Sequence, residues 1–196
     1  MSQALQMSFL PLPAPRKRGG RPLMEALAER RSARSFATRS LEPQLLADLL
    51  WAASGVNRLE SSHLTAPSAR NWQEIAVYVV LAQGYFRYQP RDASLVPLGD
   101  ADIRGEAGVQ DFVATAPVNL IYVADRAKIE GSSEDKAFFA GADSAFMAEN
   151  VYLFCASEGL ACVVRALIDR SVLAQTLRLA PEQRITLAQS VGYPLV

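Results

Sequence analysis

The spacing of apolar residues changes several times along the chain, and the changes predict helices and strands in alternation. Apolar positions three and four residues apart predict helices, whereas continuous β-branched and aromatic runs predict strands covered on both faces. Helical spacing is found over residues 22–31, 43–54, 134–158 and 171–179. Strand-like runs are found over residues 75–82, 85–89, 118–124, 161–167 and 185–191. Because the first two strands form a hairpin around a Gln-Gly turn, we predict an α+β fold with a central mixed, largely antiparallel sheet flanked by helices.

The beginning of the chain has a different composition. Prolines alternate with other residues in PLPAP (residues 11–15) and favour extended backbone, and RKRGGR (residues 16–21) adds charge and flexible glycines. We predict an extended, proline-rich and basic arm over residues 1–21, followed by a single domain over residues 22–196. The basic residues leave three interpretations open: a solvated arm, an arm that wraps around a second subunit, and a tail that contacts nucleic acid.

Composition limits the class of protein. Half of the 196 residues are hydrophobic, which is enough for a substantial core, and 20 basic residues balance 20 acidic ones. No global field therefore favours nucleic acid or an anionic membrane. Cys155 and Cys162 lie in an apolar context and are interpreted as buried reduced thiols, a disulfide or a metal pair being poorly supported. With no run near the roughly 18 apolar residues of a membrane span and no secretory signal, we predict a soluble cytoplasmic protein.

Familiar catalytic motifs are absent from the sequence. There is no glycine-rich phosphate loop, no nucleophile elbow, no HExxH and no CxxC. His63 is the only histidine, and a Ser–His–Asp site would have to combine it with a neighbouring serine such as Ser61, Ser62 or Ser68. Serines close together on one loop rarely point at the same imidazole, so an exposed loop histidine is the preferred interpretation. We predict no protein nucleophile and no metal site.

Positive charge is concentrated in ERRSARSF, residues 29–36. Arg30, Arg31 and Arg34 stand within five positions, beside Ser32 and a second serine. The planar guanidinium group matches phosphate geometry and stays charged, so this cluster suits a phosphate monoester. A solvated helix end, where cations favour the negative end of the helix dipole, is the alternative. Charge alone does not decide between the two.

A second polar segment, TAPSARNWQEI (residues 65–75), precedes the first buried strand. Pro67 fixes a turn, Ser68 is a typical helix N-cap, and Asn71 and Gln73 supply amide donors and acceptors. These amides could bind the edge of a flat heterocycle. A capped turn would explain Pro67 and Ser68 equally well, but it would not explain why the two polar segments occur together, which favours anion binding by the arginines.

Five segments resemble the nitroreductase family of FMN-dependent oxidoreductases, especially its short SagB-like branch. In chain order they are RRSARSF, LADLLWAASGVNR, TAPSARNWQEIAVYVV, AENVYLFCASEGLACVVRALID and SVGYP. They are spread from about residue 22 to the end of the chain. The resemblance implies the dimeric nitroreductase fold, with two FMN molecules bound where the subunits of a homodimer meet.

The resemblance also implies three sets of FMN-binding residues. The first would hold the FMN phosphate, ribityl chain and pyrimidine edge: Arg30, Arg31, Ser32 and Arg34. The second would come from the other subunit: Pro67, Ser68, Ala69 and Asn71. The third would pass near flavin N5, mostly through backbone groups: Arg165, Ala166 and Leu167.

Two features depart from the family pattern. Many relatives have a glycine beside N5 where this chain has Ala166-Leu167, and leucine does not adopt positive φ cheaply, so we expect a different backbone environment at N5. No basic C-terminal extension follows GYPLV, which leaves the phosphate to the N-terminal arginines with help from Arg165.

The implied activity is carried by the cofactor. NADH or NADPH would deliver hydride to flavin N5 and then be replaced by a conjugated acceptor of the quinone or nitro class, in a ping-pong cycle that needs no protein nucleophile. A flavin-binding protein of the same fold, with a role in flavin storage or in the oxidation of a peptide-derived intermediate, is the alternative. A nucleic-acid-associated protein that binds through RKRGGR is a third and less favoured reading of the sequence.

Overall fold

The computed structural model describes residues 10–195, and its strands and helices are interspersed along the chain. The strands are β1 (Leu10–Pro11), β2 (Val56–Arg58), β3 (His63–Leu64), β4 (Ile75–Leu81), β5 (Gly84–Gln89), β6 (Ser94–Gly99), β7 (Val118–Asp125), β8 (Ala161–Arg165) and β9 (Gln183–Gly192). The helices are α1 (Leu23–Glu29), α2 (Pro43–Ser54), α3 (Ser133–Glu158) and α4 (Arg170–Thr176). Short 3-10 turns cover Ala69–Asn71, Arg104–Ala107 and Asp111–Val113.

Seven of the strands form one sheet in the order β1-β6-β5-β4-β7-β9-β8, and β2 pairs separately with β3. Every pairing within this sheet is antiparallel. Since β9 lies between β7 and β8, the chain uses the 26-residue helix α3 to pass from β7 to β8. The predicted α+β fold with a central, largely antiparallel sheet flanked by helices is therefore confirmed, although no parallel pair occurs among the described strands.

The sheet is covered on both faces. One face packs against α2 and α3, where Leu49, Leu50, Met147 and Val151 are almost fully buried. The other face packs against α4 and the 3-10 turns, with Leu173 fully buried among their side chains. Burial on two faces explains why the central strands appear in the sequence as continuous apolar runs instead of alternating ones.

Most predicted elements agree with the structure within a few residues, and the differences have a local cause. Helix α2 begins at Pro43 and ends at Ser54, as its apolar spacing predicts. Strand β6 was not predicted, because its sequence SLVPLG contains Pro97, and a proline within a run argues against a strand. Within β6, Pro97 pairs with Phe86 of β5, and the described residues of β1 pair with Leu95 and Ser94.

Residues 10–21 of the predicted arm contact α2 and α3 of the same chain. The backbone N–H and Nε of Arg16 donate to the carboxylate of Asp48 on α2 at 2.7 and 2.6 Å. The backbone N–H of Arg21 donates to Ser157 Oγ on α3 at 2.8 Å. Residues 1–9 of the arm lie outside the described residues. Within residues 10–195, none of the helices combines the length and the apolar character that crossing a bilayer requires.

Candidate functional site

The arginine segment is fixed along β8, the strand at one end of the sheet order. The backbone N–H of Ala33 donates to the carbonyl of Cys162 in β8 at 2.9 Å, and Phe36 forms a β-bridge with Pro194. Ala33 is half-buried and Phe36 is buried against Val163, so these two side chains anchor the segment. The remaining side chains face outward and are exposed: Arg31, Ser32, Arg34 and Ser35. The first predicted set is thus presented on the surface of the subunit.

Tyr152 of α3 contacts this segment from the protein interior. Its hydroxyl lies 2.8 Å from Ser32 Oγ and accepts the backbone N–H of Val164 in β8 at 2.9 Å. The guanidinium carbon of Arg30 lies 5.2 Å from the centre of the Tyr152 ring, within the range of a cation–π contact. One side chain of α3 therefore joins the arginine segment to β8. No local signal in the sequence points to this role, because a tyrosine within an apolar helical stripe predicts only packing.

The second predicted set lies beside the middle of α3. The backbone N–H of Ala69 donates to Oδ2 of Asp143, a buried residue of α3, at 2.9 Å. Asp143 and Tyr152 are nine residues apart on this helix, or about 14 Å along its axis at a rise of about 1.5 Å per residue. The structure of a single chain therefore places the first and second sets at separate positions along α3 and does not bring them together.

The loop of the second set is held in an uncommon backbone conformation. Arg70, Asn71 and Gln73 have φ values of 50°, 57° and 48°, in the left-handed region that residues other than glycine seldom adopt. Such a conformation costs on the order of 1 kcal/mol per residue. Side-chain hydrogen bonds oppose this cost: Ser68 Oγ accepts the backbone N–H of Gln73 at 3.0 Å, and Gln73 Nε2 donates to Asn71 Oδ1 at 3.0 Å.

Two interpretations of this loop need correction. Ser68 precedes only a three-residue 3-10 turn, and its hydroxyl binds Gln73 without making a helix-cap hydrogen bond. The Gln73 amide, which the sequence suggested for binding a heterocycle, donates instead to the carbonyl of Ser62 at 2.9 Å and to Asn71 within its own loop. Because Asn71 uses its Oδ1 in this contact, its Nδ2 is left as the exposed amide donor.

The third predicted set begins at Arg165, the last residue of β8, whose guanidinium is buried. Nη1 donates to the carbonyl of Ala107 at 2.8 Å and Nη2 donates to Asn119 Oδ1 at 2.9 Å. Burial lowers the pKa of Arg165 to about 10, so it remains charged near neutral pH. Ala166 and Leu167 follow on the surface, with φ outside the left-handed region, which agrees with the expectation for a leucine at this position.

Comparison with known proteins identifies the fold. Residues 27–193 match the model of the Nitroreductase family, a range that contains the three predicted sets. The chain belongs to the nitroreductase family. It is 30% identical over 162 residues to a Methanocaldococcus jannaschii protein provisionally named a nitroreductase, covering 76% of this chain and 81% of that protein. Membership of the family makes the protein an oxidoreductase.

Solved structures of family members superpose well on this one. A Ralstonia eutropha protein, also provisionally named a nitroreductase, gives a TM-score of 0.91 at 39% identity and covers 96% of this chain and 90% of that chain. A Parabacteroides distasonis protein, provisionally named an NADH dehydrogenase or NAD(P)H nitroreductase, gives a TM-score of 0.62 at 18% identity over 89% of this chain and 88% of its own. The second likeness shows the fold alone, and placement in the SagB-like branch stays a prediction.

Glu74 is an unexpected feature of this family member, because a glutamate after a polar loop predicts a solvated charge. Its side chain is only 1% exposed, and neither carboxyl oxygen has a hydrogen-bond partner within residues 10–195. Desolvation raises the pKa of Glu74 to about 7, and the nearby Asp143 contributes in the same direction, while Lys128 opposes the shift. The same Asp143 accepts the Ala69 N–H, so Glu74 lies next to the carboxylate that holds the loop of the second set.

The remaining candidates from the sequence have structural roles or none. His63 is half-buried in β3, so the prediction of an exposed loop histidine was wrong, and no serine hydroxyl binds it in the described part of the chain. Cys155 and Cys162 are buried and form no disulfide in the described part of the chain, which confirms the prediction of buried free thiols. Among residues 10–195 no group of three or more His, Cys, Asp or Glu side chains is placed to hold a metal ion.

The exposed arginines of the first set fit a phosphorylated ligand by their chemistry. Arg31 and Arg34 make no ion pair or hydrogen bond through their side chains with any residue from 10 to 195. By contrast, Arg16, Arg39 and Arg70 each have a carboxylate partner. A cavity of about 390 Å³, lined in part by Arg31 and Tyr152, adjoins the segment. Two cations without protein partners beside an orientable hydroxyl form a donor set suited to a phosphate.

Proposed function

We propose that this nitroreductase-family protein is a homodimeric, FMN-dependent oxidoreductase that uses NADH or NADPH to reduce a conjugated acceptor of the quinone or nitro class. The observation that carries the proposal is the outward-facing pair Arg31 and Arg34, which lacks acidic partners among the described residues and lies beside a serine held by Tyr152. Family membership supports the redox activity, and the arginines support a cofactor that bears a phosphate.

The residues of one subunit would divide the binding of FMN between them. Arg31 and Arg34 would hold the phosphate through charge-assisted hydrogen bonds, with Arg30 fixed beside them on the ring of Tyr152. Ser32 would donate or accept a hydrogen bond at the ribityl chain or the pyrimidine edge. Leu167, whose side chain is 61% exposed, offers apolar surface at the end of β8 for the flavin ring.

A second copy of the chain would complete the site. The loop that carries Pro67, Ser68, Ala69 and Asn71 is separated from the first set along α3, so the two sets can meet only if another subunit brings them together. Apolar side chains exposed on α1 and α3 support such an association, because a large unpaired apolar surface is typical of an interface. They are Leu23, Met24, Leu27, Phe138 and Phe146. Phe146 lies within the apolar spacing of α3 and is 47% exposed.

The chemistry would belong to the cofactor. When bound, FMN supplies a ring atom, N5, that accepts hydride from a nicotinamide and passes reducing equivalents to an acceptor. The protein would bind the phosphate with its arginines, orient the ring between the two subunits and place the apolar end of β8 against it. No nucleophile or acid–base pair of the chain is needed for this role.

The absorbance spectrum of the purified protein tests this function. We expect the visible bands of a bound flavin, which bleach under anaerobic conditions when NADH or NADPH is added and return when a quinone or a nitroaromatic compound is added. Flavin bands that persist with both nicotinamides would instead favour flavin storage or oxidation of a peptide-derived intermediate. This alternative is retained because the chain has Ala166-Leu167, with the leucine on the surface, where many relatives have a glycine. A protein that is colourless and does not bind added FMN would contradict both.

Replacing Arg34 with alanine is expected to weaken FMN binding by about 1.5–3 kcal/mol, the usual worth of a hydrogen bond to a charged group. The dissociation constant, measured from the quenching of flavin fluorescence, should rise accordingly. Arg91→Ala is the matched control, because Arg91 is also exposed but follows β5, four strands from β8 in the sheet order. Equal affinity of Arg34→Ala and wild type would show that the phosphate is bound elsewhere.

A further inference from the structure

The hydroxyl of Tyr152 has two neighbours whose hydrogen-bonding roles differ. Val164 offers a backbone N–H, which can only donate, so the tyrosine oxygen is the acceptor in that contact at 2.9 Å. Ser32 Oγ, at 2.8 Å, can donate or accept. Tyr152 itself is 6% exposed, so its single proton needs a partner inside the protein.

Only one arrangement uses the tyrosine proton. If Ser32 donated to Tyr152, the phenolic proton would point at no acceptor among the described residues. If Tyr152 donates to Ser32, the tyrosine oxygen accepts from Val164, its proton is bound, and the proton of the Ser32 hydroxyl is left over. Because Ser32 is on the exposed side of the segment, that proton is available to an acceptor outside the subunit's own residues.

We propose that Tyr152 is a positioning residue that fixes Ser32 as a hydrogen-bond donor to an acceptor atom of the bound flavin nucleotide. The inference rests on the proposed function, since it names how the chain orients one group toward FMN. The same hydroxyl holds Val164, one residue before Arg165, and the Tyr152 ring carries the guanidinium of Arg30. One side chain thereby sets the position of the first set relative to the third, and Ser32 acts in binding only in the orientation that Tyr152 imposes.

Tyr152→Phe tests this role, because it keeps the ring under Arg30 and removes only the hydroxyl. We expect the dissociation constant for FMN to rise about tenfold, the effect of one lost hydrogen bond. Ser32→Ala should have a similar effect. The double variant Ser32→Ala/Tyr152→Phe should bind FMN no more weakly than the weaker single variant, because the two residues act as one unit. Thermal unfolding of each protein without FMN separates binding from folding.

Tyr122→Phe is the matched control. It removes another buried tyrosine hydroxyl, which donates to Gln189 Oε1 at 2.7 Å, but Tyr122 bonds to none of the predicted FMN residues. We expect a lower unfolding temperature and unchanged FMN affinity. An equal loss of affinity in Tyr122→Phe would assign the Tyr152 effect to general destabilisation and overturn the inference.

Three outcomes separate the inference from the proposed function. If wild type binds FMN and Tyr152→Phe binds it equally well, the role of Tyr152 is overturned and the proposed function stands. If the losses of FMN-binding free energy in the two single variants add up in the double variant, Ser32 does not act through Tyr152. The inference is then overturned and the proposed function stands. If wild-type protein does not bind FMN at all, both are overturned. Ser32→Ala alters only an exposed residue. If Tyr152→Phe folds poorly, unchanged FMN affinity in Ser32→Ala still overturns the inference.

Discussion

Asn119→Ala is expected to lower the free energy of unfolding by about 3–5 kcal/mol, because it removes three buried hydrogen bonds, one of them from the charged guanidinium of Arg165. Asn119 is fully buried in β7, and its Oδ1 accepts from Arg165 Nη2 at 2.9 Å and from Ser190 Oγ at 2.6 Å. Its Nδ2 donates to the carbonyl of Val113 at 3.0 Å. Alanine at this position would remove three hydrogen bonds from the interior at once.

The charge of Arg165 makes this loss larger than that of an ordinary amide. Its side chain is 4% exposed, and within residues 10–195 no carboxylate lies close enough to form an ion pair with it. The Asn119 amide oxygen and the Ala107 carbonyl are the acceptors that the structure gives to this guanidinium. Arg165 leads directly to Ala166 and Leu167, so a shift of its side chain would also move the end of β8 at the proposed flavin site.

Urea unfolding at neutral pH measures the effect, and two variants separate its causes. Ser190→Ala removes one hydrogen bond to the same Asn119 oxygen and is expected to cost only about 1 kcal/mol. Adding Arg165→Met to Asn119→Ala should recover part of the stability, because an apolar side chain replaces the unpaired charge. If Asn119→Ala cost no more than Ser190→Ala, or if Arg165→Met gave no recovery, the stranded charge would not be the cause.

Local patterns predicted the layered fold well, because burial on two faces imposes a regular spacing on the sequence. The apolar spacing of α2 and the continuous run of β4 each arise because regularly spaced residues of the element contact the core. Strand β6 was missed since Pro97 argues against a strand, whereas its pairing with β5 and β1 depends on the folded sheet. Whether a strand tolerates proline depends on its partner, which no local window contains.

The candidate site depended on resemblance to a family for a similar reason. ERRSARSF shows a cluster of positive charge, but the contact that orients Ser32 comes from Tyr152, 120 residues later in the chain. Glu74 is likewise buried beside Asp143, a residue that is distant in sequence. Composition therefore indicated which side chains suit a phosphate, whereas the residues that hold them in place were visible only once the chain was folded.

The loop beside Glu74 gives the stability of the protein an unusual pH dependence. The pKa of Glu74 is raised from 4.5 to about 7, first by desolvation and then by its neighbour Asp143, with Lys128 opposing. Below pH 4.5 the carboxyl is protonated in both the folded and the unfolded chain. Between 4.5 and about 7 the unfolded chain releases this proton while the folded protein retains it, so the contribution of Glu74 to stability falls as the pH rises.

Glu74→Gln is therefore expected to be more stable than wild type at pH 8 by about 3 kcal/mol, at about 1.4 kcal/mol for each unit of pKa. The two proteins should have similar stability well below pH 4.5, where the carboxyl of Glu74 is neutral in both states and resembles an amide. Urea unfolding of both proteins across this range measures the difference, and the titrating groups that do not interact with Glu74 cancel because the two chains share them.

Glu134→Gln is the control for this measurement, because Glu134 is exposed at the start of α3 and its carboxylate stays in water. The difference in free energy of unfolding between Glu134→Gln and wild type should not grow with pH in the way expected for Glu74→Gln. Since Asp143 both raises the pKa of Glu74 and holds the Ala69 N–H, ionisation of Glu74 places two carboxylates together behind the loop of the second set. A stability difference that stayed constant with pH, or that favoured wild type at pH 8, would show that Glu74 is ionised in the folded protein with a partner that offsets its burial.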